Sequence, residues 1–333
     1  MKKKLFVGIL DFLVLVFLFF TYGPVSYFRN LLITTAMTTK DHKYLAYIFY
    51  SENTVKKVMS ENYIKEINEN TNTDEITFEQ IKETDHYESE YEEQVLKKDE
   101  GNDLYKVVEI EGATYKGFMT VIYDASRVEL VNSKNLGVQG EFLQNMAKRN
   151  NAIVAINAGG FVDEDGRGSG GIPTGTVIHD GKIIRKGPGT GWGGGLIGFT
   201  KDNVLVLTKE SPEQAIQNGM EDAVEFGPFL VVNGKRAVAK GNGGWGISSR
   251  TIIAQRKDGI VLFFVIDGRQ PGYSLGIDLV EMTDLLVKYK AYNAANLDGG
   301  ASSSLVINGE IINKPCAVSA TGERWIPNSW MVK

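Results

Sequence analysis

The chain has 333 residues, 43% hydrophobic and 23% charged, with a formal net charge of -5. That length holds one large domain or two small ones with appendages, and the acidic balance argues against a nucleic-acid binder. The single cysteine, Cys316, excludes an internal disulfide framework, and with only His42, His86 and His179 a histidine-rich zinc site or a Ser-His-Asp triad is not expected.

Lys2, Lys3 and Lys4 precede an apolar run from Leu5 to Phe20 broken only by Asp11, and the run continues through Tyr22 to Val25. A basic start followed by an apolar segment fits a signal peptide or an anchor; the bulky residues after Tyr22 offer no small-x-small cleavage site, so residues 1–25 read as an uncleaved membrane anchor. The segment is about the ~20 residues a bilayer needs, and its lysines should stay in the cytoplasm with the rest of the chain outside. Residues 31–59 read as amphipathic helix. Residues 60–103, rich in Glu, Asn, Thr and Lys, read as a solvated stalk, so that residues 26–103 form a juxtamembrane helical and acidic spacer.

From Leu104 the pattern becomes short strands with tight turns. Residues 140–150 read as a helix ending at Asn150-Asn151, followed by a buried strand over 152–156. Asp180-Gly181, Asn233-Gly234 and Asn308-Gly309 each separate two apolar runs, and these pairs supply the positive φ that two-residue hairpin turns require. His179 beside the first turn reads as an exposed turn residue rather than a ligand. Asp278, with Glu281 three residues on, caps a helix whose apolar face is Leu279, Met282, Leu285, Leu286 and Tyr289. The expectation is an α+β fold, a hairpin-rich mixed sheet with a few packed helices, preceded by the transmembrane helix and polar stalk. Cys316, after Pro315 and before Ala317-Val318, reads as a buried structural thiol.

Several stretches put glycine and polar residues at strand ends, where binding residues concentrate. They are Asn157-Ala158-Gly159-Gly160-Phe161, Glu225-Phe226-Gly227-Pro228, Ser248-Ser249-Arg250-Thr251, Asp267-Gly268-Arg269, Asn296-Leu297-Asp298-Gly299-Gly300-Ala301-Ser302-Ser303-Ser304 and Glu323-Arg324-Trp325-Ile326-Pro327-Asn328. Arginine's planar fork suits phosphate or carboxylate, so Arg250, Arg269 and Arg324 are anion-binding candidates; the competing explanation is a structural ion pair, strongest for Arg324 beside Glu323. Asp267 and Asp298 each end an apolar segment, and two carboxylates facing one cleft are the usual equipment of a glycoside hydrolase. Both could instead accept loop hydrogen bonds. Phe161, Trp192 and Trp245 could stack on a sugar ring, although the two tryptophans sit in Gly-rich loops they could simply pin.

These segments recur in the same order in one known family. On Asn157 to Phe161, Arg250-Thr251, Asp267-Gly268-Arg269, the Asp298 loop and Arg324 with Asn328, residues 104–333 resemble the phosphodiester glycosidase family, whose animal member removes N-acetylglucosamine from a phosphodiester. The anchor and stalk look like those of membrane-tethered Gram-positive members. One departure is Ala301, where the family commonly has a third glycine. The resemblance implies a phosphodiester glycosidase domain over 104–333 that hydrolyses sugar phosphodiesters.

The resulting expectation is a membrane-anchored, extracytoplasmic hydrolase of sugar-1-phosphodiester bonds in cell-envelope glycopolymers. Asp298 and Asp267 are its catalytic candidates. Its substrate-binding candidates are Asn157, Gly159, Gly160, Phe161, Glu225, Arg250, Arg269, Gly299, Gly300, Ser302, Ser303, Arg324 and Asn328. The expected partners are a glycosyl phosphodiester or anionic polysaccharide substrate and the membrane, with no nucleic acid. A divalent cation could sit near Asp267 or Asp298, but no spacing resembles a metal loop and no cofactor is expected. The alternatives are a non-catalytic binder of anionic polysaccharide and a phosphodiesterase cutting on the phosphate side.

Overall fold

A computed structural model describes residues 2–39, 42–78, 86–163, 168–188 and 193–333. The chain forms two compact units, one of Met1–Ile64 with Ala239–Ile247, the other of Lys65–Val238 with Ser248–Lys333.

The smaller unit is helical. Helix α1 spans Lys2–Tyr22, and its Leu5–Tyr22 portion is long and apolar enough to cross a membrane. The stretch expected as one amphipathic helix is three: α2 (Ser26–Met37), α3 (Tyr44–Phe49) and α4 (Glu52–Glu61), the last capped by Ser51, which accepts from the Thr54 amide. Their shared core is Ile33, Ala36, Ala46, Tyr50, Val55 and Val58. The excursion Ala239–Ile247 joins them through hydrogen bonds from the Asn242 amide to Asn62 Oδ1 (3.0 Å) and from the Ile247 amide to Thr35 Oγ1 (3.3 Å).

The larger unit carries helices α5 (Glu90–Leu96), α6 (Leu143–Asn150), α7 (Pro212–Gln217) and α8 (Leu279–Lys288) around three sheets. The seven-stranded sheet runs Lys235–Arg236, Phe229–Val232, Ala291–Asn296, Arg250–Arg256, Val261–Ile266, Lys116–Ile122 and Tyr105–Glu111. A five-stranded sheet runs Glu310–Ile311, Leu305–Ile307, Val154–Asn157, Asn328–Val332 and Val128–Asn132; the other runs Lys182–Arg185, Val177–His179, Met220–Phe226, Gly195–Thr200 and Leu205–Thr208. Inward residues of all three, among them Phe263, Ile253, Ile156, Trp330, Phe199 and Val224, meet in one core. The α+β, hairpin-rich architecture expected from the pattern is therefore present, with antiparallel pairing at each registered strand pair.

Local chemistry explains many boundaries. Asp180, Asn233 and Asn308 adopt φ of 51, 53 and 50°, each before a glycine of positive φ, as two-residue hairpins demand. Asn151 closes α6 in the left-handed region, and Asp278 caps α8 by accepting from the Val280 and Glu281 amides at 2.9 Å. The polar stretch from Lys65 differs from a free stalk, because its glutamates and threonines find partners on the larger unit. Glu66 accepts from the amides of Gly194 (2.7 Å) and Phe229 (2.6 Å) and from Lys209, Thr71 bonds with Leu207, and Glu92 pairs with Lys290.

Strand register gathers the loops. Arg250 lies opposite Ile266 and Ile252 opposite Asn296, so the segments at 248–250, 267–269 and 297–304 leave the same end of the seven-stranded sheet. Leu305 lies opposite Ile156 and Ser329 opposite Asn157, which brings 157–161 and 324–328 to the opposite flank of the 297–304 loop.

Candidate active site

Asn157, fully buried at its strand end, is the hub. Its Nδ2 donates to the Asp298 carbonyl (2.6 Å), and its Oδ1 accepts from Thr251 Oγ1 (2.7 Å) and from the Ser304 amide (3.2 Å). The Asp298 amide donates to the Ala158 carbonyl (3.0 Å), so both sides of the Asp298 peptide are held and its half-buried side chain is delivered from a fixed backbone. Ser303 Oγ lies 3.2 Å from Thr251 Oγ1, within the same buried network. Ser302 is also buried, in the single turn Gly300–Ser302.

Glycines set how closely the segments approach. A Cβ on Gly299 would fall 2.9 Å from the Ser249 carbonyl oxygen, and one on Gly300 would fall 2.8 Å from an Arg269 guanidinium nitrogen. Ser249 Oγ donates to the Gly300 carbonyl (2.7 Å) while the Gly300 amide donates to the Ser249 carbonyl (3.0 Å). Cys316 also lies here, half-buried rather than fully buried, with Sγ 3.8 Å from Ser249 Oγ and 3.7 Å from the Gly300 carbonyl.

The two arginines differ. Arg269 is exposed, adopts φ 60° and donates from Nε to Ser248 Oγ (3.1 Å). Arg250 is buried; burial first, then the positive charge of Arg269, pushes its guanidinium down to about 9, against a smaller opposing pull from Asp278. Two guanidinium groups on neighbouring segments make this end of the sheet positively charged.

The two aspartates also stand apart. Asp267 is 1% exposed and its carboxylate accepts from Asn313 Nδ2 (2.9 Å), the Lys314 amide (3.0 Å) and Tyr273 OH (3.0 Å). Burial pushes its pKa above the ordinary carboxylate value, making it a weaker acid, and these donors oppose the shift. Asp267 thereby ties the 313–314 loop to the Arg269 segment. Asn313 and Asp163 escape a reading by sequence, since each acts on a partner remote along the chain.

On the opposite flank, Asn328 Oδ1 accepts from the Gly159 amide (2.8 Å) and its carbonyl from the Ala158 amide (3.2 Å), while its Nδ2 is buried with no hydrogen-bond partner. An open buried donor of this kind costs about 1–3 kcal/mol unless something polar fills it. Arg324 pairs with Asp163, not with its neighbour Glu323, and its guanidinium stacks 4.7 Å above the Phe161 ring. Phe161 is accordingly 3% exposed and is covered, not a free face for a sugar. Glu323 turns away to accept from the Gln144 amide at the start of α6 (3.0 Å), and burial raises its pKa, making it a weaker acid. Gly160 packs on Phe226, where a Cβ would meet the ring at 2.7 Å, and the neighbouring Glu225 accepts from the Thr176 amide (2.8 Å). Trp245 belongs to the smaller unit, and Trp192 lies outside the described residues.

Among the described residues, His179, Asp180 and Asp222 present ligand atoms within 4.8 Å of one another, a grouping that could hold a metal ion. His179 is half-buried rather than a plain turn residue: its Nδ1 lies 2.8 Å from Asp222 Oδ1, a contact that raises its basicity.

Comparison with known proteins bears on this arrangement. The sequence model of the phosphodiester glycosidase family matches residues 150–333. An uncharacterized prophage-derived protein of Bacillus subtilis is 31% identical over 180 residues, 52% of this chain and 27% of that protein. Bovine N-acetylglucosamine-1-phosphodiester alpha-N-acetylglucosaminidase is 27% identical over 183 residues, 52% of this chain and 34% of that enzyme. The chain thus spans about a third of the length of these curated relatives. The catalytic domain of the zebrafish enzyme of the same name, in a structure auto-inhibited by pro-peptide, shares the fold with a TM-score of 0.57 at 23% identity, over 70% of this chain and 85% of that one.

Proposed function

The chain belongs to the phosphodiester glycosidase family, and from that premise we propose that it hydrolyses sugar-1-phosphodiester bonds in cell-envelope glycopolymers from the outer side of a membrane in which α1 anchors it. The observation that carries this reading is the joining, on one set of clasped loops, of a half-buried carboxylate, Asp298, with the guanidinium groups of Arg250 and Arg269.

In the proposed reaction the phosphate is held by Arg250 and Arg269, with Gly299, Gly300, Ser302 and Ser303 shaping the cradle around it. Water adds at the anomeric carbon, the bond from that carbon to the phosphate oxygen breaks, and the oxygen departs with the phosphate. The products are the free sugar and a phosphomonoester, one water proton passing to solvent or to the leaving phosphate. Neutralised by arginine, phosphate leaves readily, so one carboxylate suffices to assist at carbon. Asp298 takes that role. Asp267, whose oxygens are occupied by Asn313, Lys314 and Tyr273, braces the loop that presents Arg269. Asn157 and Asn328 fix the backbone of the 157–161 and 298 loops. Arg324, Phe161 and Glu225 support the rim.

Anchorage is supported by the apolar run Leu5–Tyr22 behind three lysines, and the outward orientation by the positive-inside rule. The test is incubation of the full chain with a defined sugar-1-phosphodiester and identification of the products. Free sugar plus phosphomonoester is expected; sugar phosphate plus alcohol would identify a phosphodiesterase, and binding without any product a polysaccharide-binding protein. Asp298→Asn should retain binding and lose at least about a hundredfold in turnover, whereas Arg269→Lys should mainly raise KM.

A further inference from the structure

Helix α3 is apolar on the side that faces away from its own core. Ala46 is buried, and Leu45 and Phe49 pack against the core of the smaller unit. Tyr44, Tyr47 and Ile48, at the i, i+3, i+4 spacing of the other face, are 56, 48 and 62% exposed. The adjoining helix α4 shows what a water-facing helix of the same unit looks like: Val55 and Val58 point inward and Glu52, Asn53, Lys56 and Lys57 are outside. The outer face of α3 is thus built for a different solvent.

Its position relative to α1 says which one. Phe49, at the end of α3, meets Phe17 of α1 edge to face at 5.5 Å, and Tyr50 OH donates to the Thr21 carbonyl (2.9 Å) while its ring lies 5.9 Å from that of Tyr22. Phe17 precedes the end of α1 by five residues, about 7.5 Å along the helix at 1.5 Å per residue. That is the depth, roughly 5–10 Å, at which interfacial helices bury an apolar face among headgroups and upper acyl chains. On α2, Phe28 packs on Phe20 at 4.4 Å, and Tyr27 beside it is exposed. Exposed rings thus stand at the end of the apolar run (Tyr22) and on the two helices that pack against it (Tyr27, Tyr44 and Tyr47), a residue type enriched at membrane interfaces. Between Tyr22 and Tyr50 the sequence holds Arg29, Lys40 and Lys43 against the single carboxylate Asp41, a balance suited to anionic headgroups.

We propose that α3, with Tyr27 and Phe28 of α2, forms a collar seated in the lipid interface around the end of α1, so that the smaller unit is partly embedded in the membrane rather than merely tethered to it. The occupant of this face is the headgroup and upper acyl region of an anionic bilayer. The inference rests on the reading of α1 as the anchor, and one experiment separates the two.

The full chain carrying Cys316→Ser together with one of Tyr47→Cys, Phe12→Cys or Lys56→Cys, each at an exposed position, is spin-labelled at the new thiol and reconstituted in vesicles containing phosphatidylglycerol. Power saturation then compares collisions with oxygen, enriched in lipid, against those with a water-soluble nickel chelate. The label at 47 should be several-fold more accessible to oxygen than to nickel, as at 12 in α1, and the label at 56 in α4 should show the reverse. A lipid-like signal at 12 with a water-like signal at 47 overturns the collar and leaves the anchor standing. Water-like signals at both positions overturn the anchor as well.

Discussion

At Gly300 the backbone sits at φ 62°, and an Arg269 guanidinium nitrogen occupies the space 2.8 Å from where a Cβ would be. Gly300→Ala should therefore lower stability by about 1–2 kcal/mol from the left-handed backbone alone, and should also raise KM because the displaced group is Arg269; unfolding midpoints and steady-state kinetics read the two effects separately. Ala301, one residue on, has no such constraint: it lies in the turn Gly300–Ser302 and is not among the residues with positive φ. The methyl that departs from the family pattern is accommodated for that reason. His179 offers a second prediction. Its Asp222 partner raises its folded value above the ordinary 6.5. A raised base contributes stability that is fully present below about pH 6.5 and is lost as pH rises through the folded value. The melting-temperature advantage of the native chain over His179→Gln should thus be largest near pH 6 and shrink in alkaline buffer. Residues whose role is local were legible from the sequence: Asp278 at its helix start, and Asn and Asp at the hairpin turns. Arg324 was not, because its neighbour in sequence, Glu323, serves α6 while its ionic partner, Asp163, comes from a distant segment.

Among elements, the strands and α8 follow from apolar alternation and helical spacing, whereas the stretch after Lys65 misleads. Its composition is that of a solvated spacer, yet short hydrogen bonds fasten it to the larger unit at Glu66, Thr71, Glu75 and Glu92. Composition reports how much apolar area a segment can bury and is silent about carboxylates that satisfy backbone amides. Glu66 is the clearest instance, with the amides of Gly194 and Phe229 and the ammonium of Lys209 all directed at it. Glu66→Ala should strand those buried donors and destabilise the larger unit by about 3 kcal/mol, read as a shift of its chemical unfolding midpoint. Glu66→Gln, which keeps an acceptor, should recover part of that loss. The loops of the candidate site were legible as a set, since glycine and polar residues interrupt apolar strands at each of them. Their assembly was not, because it depends on the register that sets Arg250 opposite Ile266 and Leu305 opposite Ile156.

At the level of the molecule, the sequence suggests a linear order of anchor, spacer and catalytic domain, and the chain is not threaded that way. It passes from the helical unit to the larger one after Ile64, returns at Ala239, and leaves again after Ile247 to enter Ser248, Ser249 and Arg250 of the candidate site. A surface protein on a simple stalk is released by one proteolytic nick. Here a nick between Ile64 and Lys65 should leave the larger unit retained, because Ala239–Ile247 still holds to the helices through Asn62, Thr34, Thr35 and Thr38. With a protease site engineered at that junction, cleaved protein should remain with the membrane pellet until denaturant is added. With α1 as the proposed anchor, shedding into the medium would instead require the excursion to be pulled free, so that attachment would be governed by a folding equilibrium and not by the integrity of one peptide bond.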